Sequence, residues 1–457
     1  MQAYRFALDL TPAQTRAVLG HAGAARKAHN WALARVKAVL DQRTAERSYG
    51  LAEPDLTPTL GWSLPALRRA WNQAKTEVAP WWAEYSKEAY NTGLDALARG
   101  LSNWTDSRSG TRAGRRVGFP RFKALHRSTP TVRFTTGAIR VEPDRRHVRL
   151  PRLGVLKTHE STRKLARRLE AGTARILSAT VRREGGRWFV AFTCQVQRAE
   201  RVPVRPDAVV AFDLGITHLA VLSTGRVVDN PRHLDTALTR LRRLSRTVSR
   251  RVGPDRRTRR RGSKRWERAN TRRNRVHVRV ANLRRHSIHA LTTSLAREYG
   301  TVVVEDLNVA GMLGNRRLAR HLADAGFGEI RRQLAYKTQW NGGRLVVADR
   351  WYPSSKSCSG CGVVKTKLAL SERIYRCAHC GLVIGRDLNA AKNLAACAAG
   401  VAPEWPGDVK TGRGADGKTR PIGHVAAKRL PGTAEAGKTG TAPPQGGAAS
   451  RELTHAS

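Results

Sequence analysis

Residues 209–229 read VVAFDLGITHLAVLSTGRVVD, and the fold turns on this stretch. Three short apolar runs separated by Leu-Gly-Ile-Thr and Ser-Thr-Gly have the make-up of three strands meandering through two tight turns. Asp213 follows the run VVAF, so its carboxylate sits on a strand of a sheet core, where an acid is costly without a partner. That cost singles it out.

Working outward, a second apolar strand, TVVVEDL, ends in Glu305 with the same awkwardness. Asp306 is next to it, but strand alternation turns only one of the two toward a shared site, and Glu305 is the preferred one. Asp387 differs. It opens an Ala-rich helix, DLNAAKNLAACA, and alone would be read as a helix cap. Asp213 and Glu305 resist that explanation because neither begins a helix. Three acids on two strands and a helix start can converge on divalent cations, and hard carboxylate oxygens suit magnesium or manganese. Two such ions support phosphodiester hydrolysis without a side-chain nucleophile.

Just before Asp387 stand Cys358-x-x-Cys361 and Cys377-x-x-Cys380, two pairs separated by fifteen residues. This spacing matches two knuckles around one tetrahedral zinc. Gly362 and Gly381 follow the second cysteine of each pair, where a tight knuckle favours a residue without a Cβ. Four thiolates fill the coordination sphere, so this zinc is structural and leaves no position open for water. The ribbon around it carries Lys356, Lys365, Lys367, Arg373 and Arg376, which fits either a nucleic-acid-facing surface or a purely structural clip. Cys194 and Cys397 lie in apolar contexts and read as core residues.

The chain has 457 residues, 84 Lys and Arg against 35 Asp and Glu, and a net charge of +49. Such an excess repels itself unless a polyanion neutralises it, and nucleic acid is the usual polyanion. Between residues 231 and 290 there are 21 Lys or Arg against Asp235, Asp255 and Glu267. Leucines at helical spacing beneath them predict a basic helical hairpin broken near Gly253-Pro254. A solvated face is the weaker reading, because like charges at i,i+4 destabilise a helix unless something anionic lies against it. Candidate contacts are Arg242, Arg243, Arg246, Arg250, Lys264, Arg265, Arg272, Arg273 and, in the ribbon, Lys356. No run of about 18 apolar residues is present for a membrane span, and MQAYRFALDL lacks a signal-peptide core. A cytoplasmic protein without a membrane partner is expected.

The remaining segments predict several domains. Tyr4, Phe6 and Leu8 alternate as a strand, and Thr11-Pro12 starts a helix reaching about Leu40. Residues 64–104 are helical in spacing and rich in aromatics, among them Trp71, Trp81, Trp82, Tyr85 and Tyr90. These are core residues or, for one or two, platforms for stacked bases. From Phe119 short alternating runs with a turn at Gly185-Gly186 predict a small antiparallel barrel or sheet. A new domain begins near residue 207, and 401–457 has the composition of a disordered tail.

The runs AFDLGITHLAVLSTG, VVVEDLNVAGM, WYPSSKSCSGCG and GRDLNAAKNL resemble, in order and wording, motifs of the TnpB or OrfB proteins of insertion sequences, relatives of the type V CRISPR effectors. The likeness spans about residues 1–400, with Ala211 where the family often has Gly. It implies a multidomain α/β protein: a RuvC-like nuclease domain of ribonuclease H fold (207–350 and 385–400), an inserted zinc ribbon (351–384), and a β-barrel (1–10 and 119–200) interrupted by a helical segment (11–118). It implies an RNA-guided DNA endonuclease, historically called a transposase, with metal-binding acids at Asp213, Glu305 and Asp387 and zinc ligands at the four cysteines. Its cofactors would be structural zinc, catalytic magnesium or manganese, and a noncoding guide RNA from the transposon end. Its target would be double-stranded DNA beside a short flanking motif, in the nucleoid of a bacterium. A nonenzymatic RNA-guided DNA-binding regulator or a transposase accessory protein is the alternative.

Overall fold

The computed structural model describes residues 1–125, 128–255, 257–258, 260–369 and 371–398. The expected disordered tail, 401–457, lies outside them. Contacts divide the chain into two compact units, residues 1–199 with 237–281, and 200–236 with 282 onward. Both mix helices and strands.

The first unit begins with strand β1 (Gln2–Asp9) and helix α1 (Pro12–Ser48). Thr11 caps α1 as its sequence predicts. Its hydroxyl accepts from the Gln14 amide, the Gln14 side chain accepts from the Thr11 amide, and Pro12 takes the first helical position. Helices α2 (Leu64–Val78) and α3 (Lys87–Arg108) follow. Gly93 of α3 lets this helix cross α1 closely, since a Cβ there would lie 2.0 Å from the Ala25 carbonyl oxygen. Strands β2 (Thr131–Phe134), β3 (Arg140–Val141), β4 (His147–Leu150) and β5 (Gly154–Thr158), helix α4 (Arg163–Glu170), and strands β6 (Ala174–Glu184) and β7 (Arg187–Val196) complete it. Gly185 and Gly186, both at positive φ, make the two-residue turn from β6 to β7.

These strands form one seven-stranded sheet in the order β2-β6-β7-β1-β5-β4-β3. Among the described residues β2 and β3 stay at opposite edges and do not pair, so the sheet is open where a closed barrel was the expectation. Short alternating runs specify antiparallel pairing but carry no information on whether the last strand returns to the first. The core beneath joins Phe134, Phe192 and Leu156 to Leu33, Leu94 and Leu97 of the helices.

The second unit holds strands β8 (Arg205–Asp213), β9 (His218–Leu222) and β10 (Val227–Asp229). The chain then runs through helices α5 (His233–Ser249) and α6 (Lys264–Glu298), within which the boundary between units falls. Strand β11 (Tyr299–Glu305), helices α7 (Val309–Met312), α8 (Ala319–Ala325) and α9 (Phe327–Trp340), and strand β12 (Arg344–Ala348) come next. A hairpin of β13 (Ile374–Arg376) and β14 (Val383–Gly385) leads into helix α10 (Arg386–Ala398). The five-stranded sheet has the order β10-β9-β8-β11-β12, an antiparallel meander continued by parallel strands.

Parity along its strands sorts two cores. Val210, Phe212, Val302 and Val304 face Ile288, Leu295, Ile330 and Leu334. Ala211, Val303 and Ala348 face the other way, onto Leu394 of α10. The small alanines allow that helix to lie close to the sheet.

Candidate active site

Continuing the same alternation puts Asp213, two residues beyond Ala211, and Glu305, two beyond Val303, on the face that α10 covers. Val303 is registered against Ala211 in the parallel β8–β11 pair, so the two acids end neighbouring strands at one level. Asp387 lies in the first turn of α10, a place where the helix dipole favours a negative charge. The structure thus brings together the three acids singled out in the sequence. Burial, then the charges of Glu305 and Asp387, push the Asp213 carboxyl up to about 7, against the pull of Arg386. Crowded acids with few compensating cations are arranged to hold a bound cation or a proton.

Asp306 points elsewhere. Its carboxylate pairs with Arg331 and with Arg350, the latter at 2.8 Å. These guanidinium groups hold its pKa below the usual carboxylate range against partial burial. Glu305 instead accepts from the Ser354 hydroxyl at 2.6 Å.

The cysteines form a second cluster. The sulfur atoms of Cys358, Cys361, Cys377 and Cys380 all lie within 4.8 Å of one another, with Cys358 and Cys380 at 3.5 Å and Cys361 and Cys377 at 3.6 Å. All four are free thiols. Their separations approach the edge of about 3.8 Å expected of four sulfurs at ~2.3 Å around one ion, so the donor set fits zinc. Gly362 and Gly381 adopt φ of 78° and 74° as their knuckles require. Amide N–H groups of Cys380 and His379 pull the Cys377 thiol down to about 6, which favours the thiolate a metal needs. Among the described residues the four thiols are the one group of three or more such ligands that gathers this closely.

Two residues that sequence reading passed over connect the clusters. Asn389, fully buried, donates to the Ser357 carbonyl at 2.6 Å and accepts from the Ser359 amide at 2.9 Å. Asn393 donates to the carbonyls of Ser354 and Ser357, both at 2.7 Å. Helix α10 is therefore fastened to the knuckle, and through Ser354 to Glu305. Two asparagines four apart on an Ala-rich helix face were the available signal.

Of the candidate nucleic-acid contacts, Arg242, Arg243 and Arg246 are exposed on α5, Arg250 in the turn just after it, and Lys264, Arg265 and Arg272 on α6. None of these seven pairs with a described acid. Arg273 is half-buried against Asn270, and Lys356 donates to the Thr366 carbonyl. The break near Gly253-Pro254 falls between α5 and α6 as expected. No helix among the described residues is long and apolar enough to cross a membrane.

A mixed sheet ending in two adjacent acids, a helix-borne third and a four-thiol knuckle able to hold a metal ion give a mixed α/β chain of composite build. Residues 191–316 match the OrfB family model described as "Probable transposase", residues 327–394 match "Cas12f1-like, TNB domain", and residues 1–44 match "Helix-turn-helix domain". In the structure residues 2–44 are one strand and one unbroken helix. A Mycobacterium tuberculosis protein named "Putative RNA-guided DNA endonuclease" is 41% identical, the match covering 92% of each chain. The Escherichia coli protein of the same designation, InsQ, is 27% identical over 87% of this chain and 92% of its own. A solved Cas12f1–sgRNA–target DNA complex aligns at 14% identity and TM-score 0.44, over 84% of this chain and 83% of that one. The chain belongs to the OrfB/TnpB family of insertion-sequence proteins.

Proposed function

We propose that the chain is an RNA-guided, divalent-metal-dependent DNA endonuclease encoded by an insertion sequence, with Asp213, Glu305 and Asp387 as its catalytic metal ligands. The observation that carries the reading is the level register of Asp213 and Glu305 beneath α10, with Asp213 pushed up to about 7 by burial and by its acidic neighbours. The strand order third, second, first, fourth, fifth supports a RuvC-like ribonuclease H fold for 207–350 and 385–400. Residues 351–384 act as the zinc ribbon, while 1–10 with 119–200 and the helical 11–118 form the nucleic-acid-holding part. The relatives named as RNA-guided DNA endonucleases support RNA and DNA as partners.

Asp213, Glu305 and Asp387 would hold magnesium or manganese, and Cys358, Cys361, Cys377 and Cys380 zinc. Magnesium or manganese, when bound, supplies an activated water and stabilises the leaving 3′ oxygen. The protein's own part is to present the three acids from two neighbouring strand ends and a helix start. Ser354 fixes the Glu305 carboxylate, and Asp213 gives up its proton when a cation arrives. Arg386, whose charge reaches Asp213, positions a phosphate at the rim. The exposed arginines of α5 and α6 and Lys356 bind phosphates of the guide RNA and of the DNA.

The test is to sequence the RNA that copurifies with the protein and to challenge the complex with a matched DNA duplex beside varied flanking sequences. Cutting that depends on magnesium or manganese and is lost in Asp213→Ala supports the reading. A defined RNA with duplex binding but no cutting under any divalent ion would make the chain a regulator, and absence of a defined RNA would remove the guide.

A further inference from the structure

The aromatic residues of 64–104 divide into two sets. Trp71 and Tyr90 are each 3% exposed and stack on one another with centroids 5.0 Å apart, so they are core. Trp81 is 38% exposed. With Tyr85, edge-on to it at 5.6 Å, it lines a cleft of about 840 Å³, a volume in the ~300–1,000 Å³ range of small-ligand sites. One face of α1 lines the same cleft, through Gly20, Gly23, Lys27 and Trp31 at spacings of three and four.

The two glycines have different reasons. At Gly20 a Cβ would come within 2.4 Å of the Tyr85 ring, so packing inside the protein accounts for it. At Gly23 a Cβ would meet only the tip of the Arg26 guanidinium, 4.0 Å away. A glycine inside a helix weakens the helix, and here no protein atom uses the space it leaves. That space opens into a cleft that combines an exposed indole with the cations Arg26 and Lys27, neither in an ion pair with a described residue.

We propose that this cleft takes one unpaired nucleobase, which stacks on Trp81 and passes close over Gly23 while Arg26 and Lys27 hold the adjoining phosphate. Aromatic faces accept any base, and cations beside them follow the backbone, so the combination suits single strands rather than paired ones. Glu84 also lines the cleft. Its carboxylate repels phosphate and accepts from a base amino group, which directs the base inward and the backbone toward α1. The proposal rests on the chain binding nucleic acid but not on its cutting it.

Short single strands carrying 4-thiouridine in RNA or 4-thiothymidine in DNA, and the same strands paired to complements, are irradiated with the full-length protein. Adducts are mapped by mass spectrometry while total retention is measured on filters. Adducts on Trp81 or Tyr85 are expected from single strands and not from duplexes, and the arm that gives them identifies RNA or DNA as the source. In Gly23→Leu their yield falls about tenfold with retention unchanged. This variant raises helix propensity, so the loss cannot come from an unfolded α1. Trp81→Ala, at an exposed position, gives a matching loss of adducts at Tyr85. Adducts only outside residues 20–31 and 81–85, equal yields from duplexes, or an undiminished yield in Gly23→Leu would overturn the cleft. Absence of any retention would overturn the nucleic-acid reading itself, and the cleft with it.

Discussion

The four cysteines and the three acids proposed as metal ligands belong to the same unit, yet they are assembled in opposite ways. The cysteines come from one stretch of 23 residues and gather within 4.8 Å. The acids come from β8, β11 and α10, far apart in sequence. A thiol cage is made by local turns and is complete in itself. A carboxylate site is made by topology, and burial together with the neighbouring acids raises the Asp213 carboxyl. The two should therefore respond differently when damaged.

The largest effect is expected at the acids. Asp213→Asn should lower guided cleavage by about 10³-fold or more while zinc content, measured by atomic absorption, stays that of the wild type. Joint loss of zinc and activity would break the separation between the clusters. Next comes the cage. Cys377→Ser should release zinc and raise hydrogen exchange across residues 357–385, since such a site supplies much of its own folding energy. Cleavage should then fall by about 10- to 100-fold, because Asn389 and Asn393 lose the carbonyls that fasten α10.

The contrast also explains what the sequence made legible. Cys-x-x-Cys twice at a fixed interval is a local signal, and the observed cage agrees with it. Asp213 and Glu305 stood out because each interrupts a run of Val or Phe, and parity on β8 and β11 was enough to prefer Glu305 over Asp306. The pairing of Val303 with Ala211, which sets the two acids level, was not legible, because register between parallel strands is decided by the helices packed across them. Closure of the first sheet was misjudged for a related reason: edge pairing is a property of tertiary bend, absent from alternating runs such as VRF and HVRL. Asn389 and Asn393 were missed because a polar residue on an Ala-rich helix has no partner visible in sequence.

A smaller effect is expected from pH. Without a divalent cation the folded state keeps a proton on Asp213 up to about 7, while the unfolded chain releases it near 3.8. A carboxyl raised in this way contributes less stability as pH climbs from 3.8 to 7, by on the order of a few kcal/mol in all, and nothing further above 7. Thermal melts of the metal-free protein should therefore show a decline across that window, and Asp213→Asn should flatten it. Apparent affinity for manganese should weaken as pH falls below 7, because the proton competes. An unchanged slope in the variant would assign the decline to other groups.

The smallest effect is expected next door to the site. Asp306→Asn removes the partner of Arg331 and Arg350 and should cost about 1 kcal/mol of stability in urea titration. Cleavage should stay within about twofold of wild type, whereas Glu305→Gln, one residue away, should be nearly inactive. Equal losses at the two positions would contradict the parity argument.

Manganese binding, followed by electron paramagnetic resonance on zinc-loaded protein, bears most directly on the claim that Asp213, Glu305 and Asp387 form one carboxylate metal site. The wild type should bind about two manganese ions per chain, with at least one of them lost or weakened by about a hundredfold in Asp213→Asn and in Glu305→Gln. Unchanged stoichiometry and affinity in both variants would contradict it.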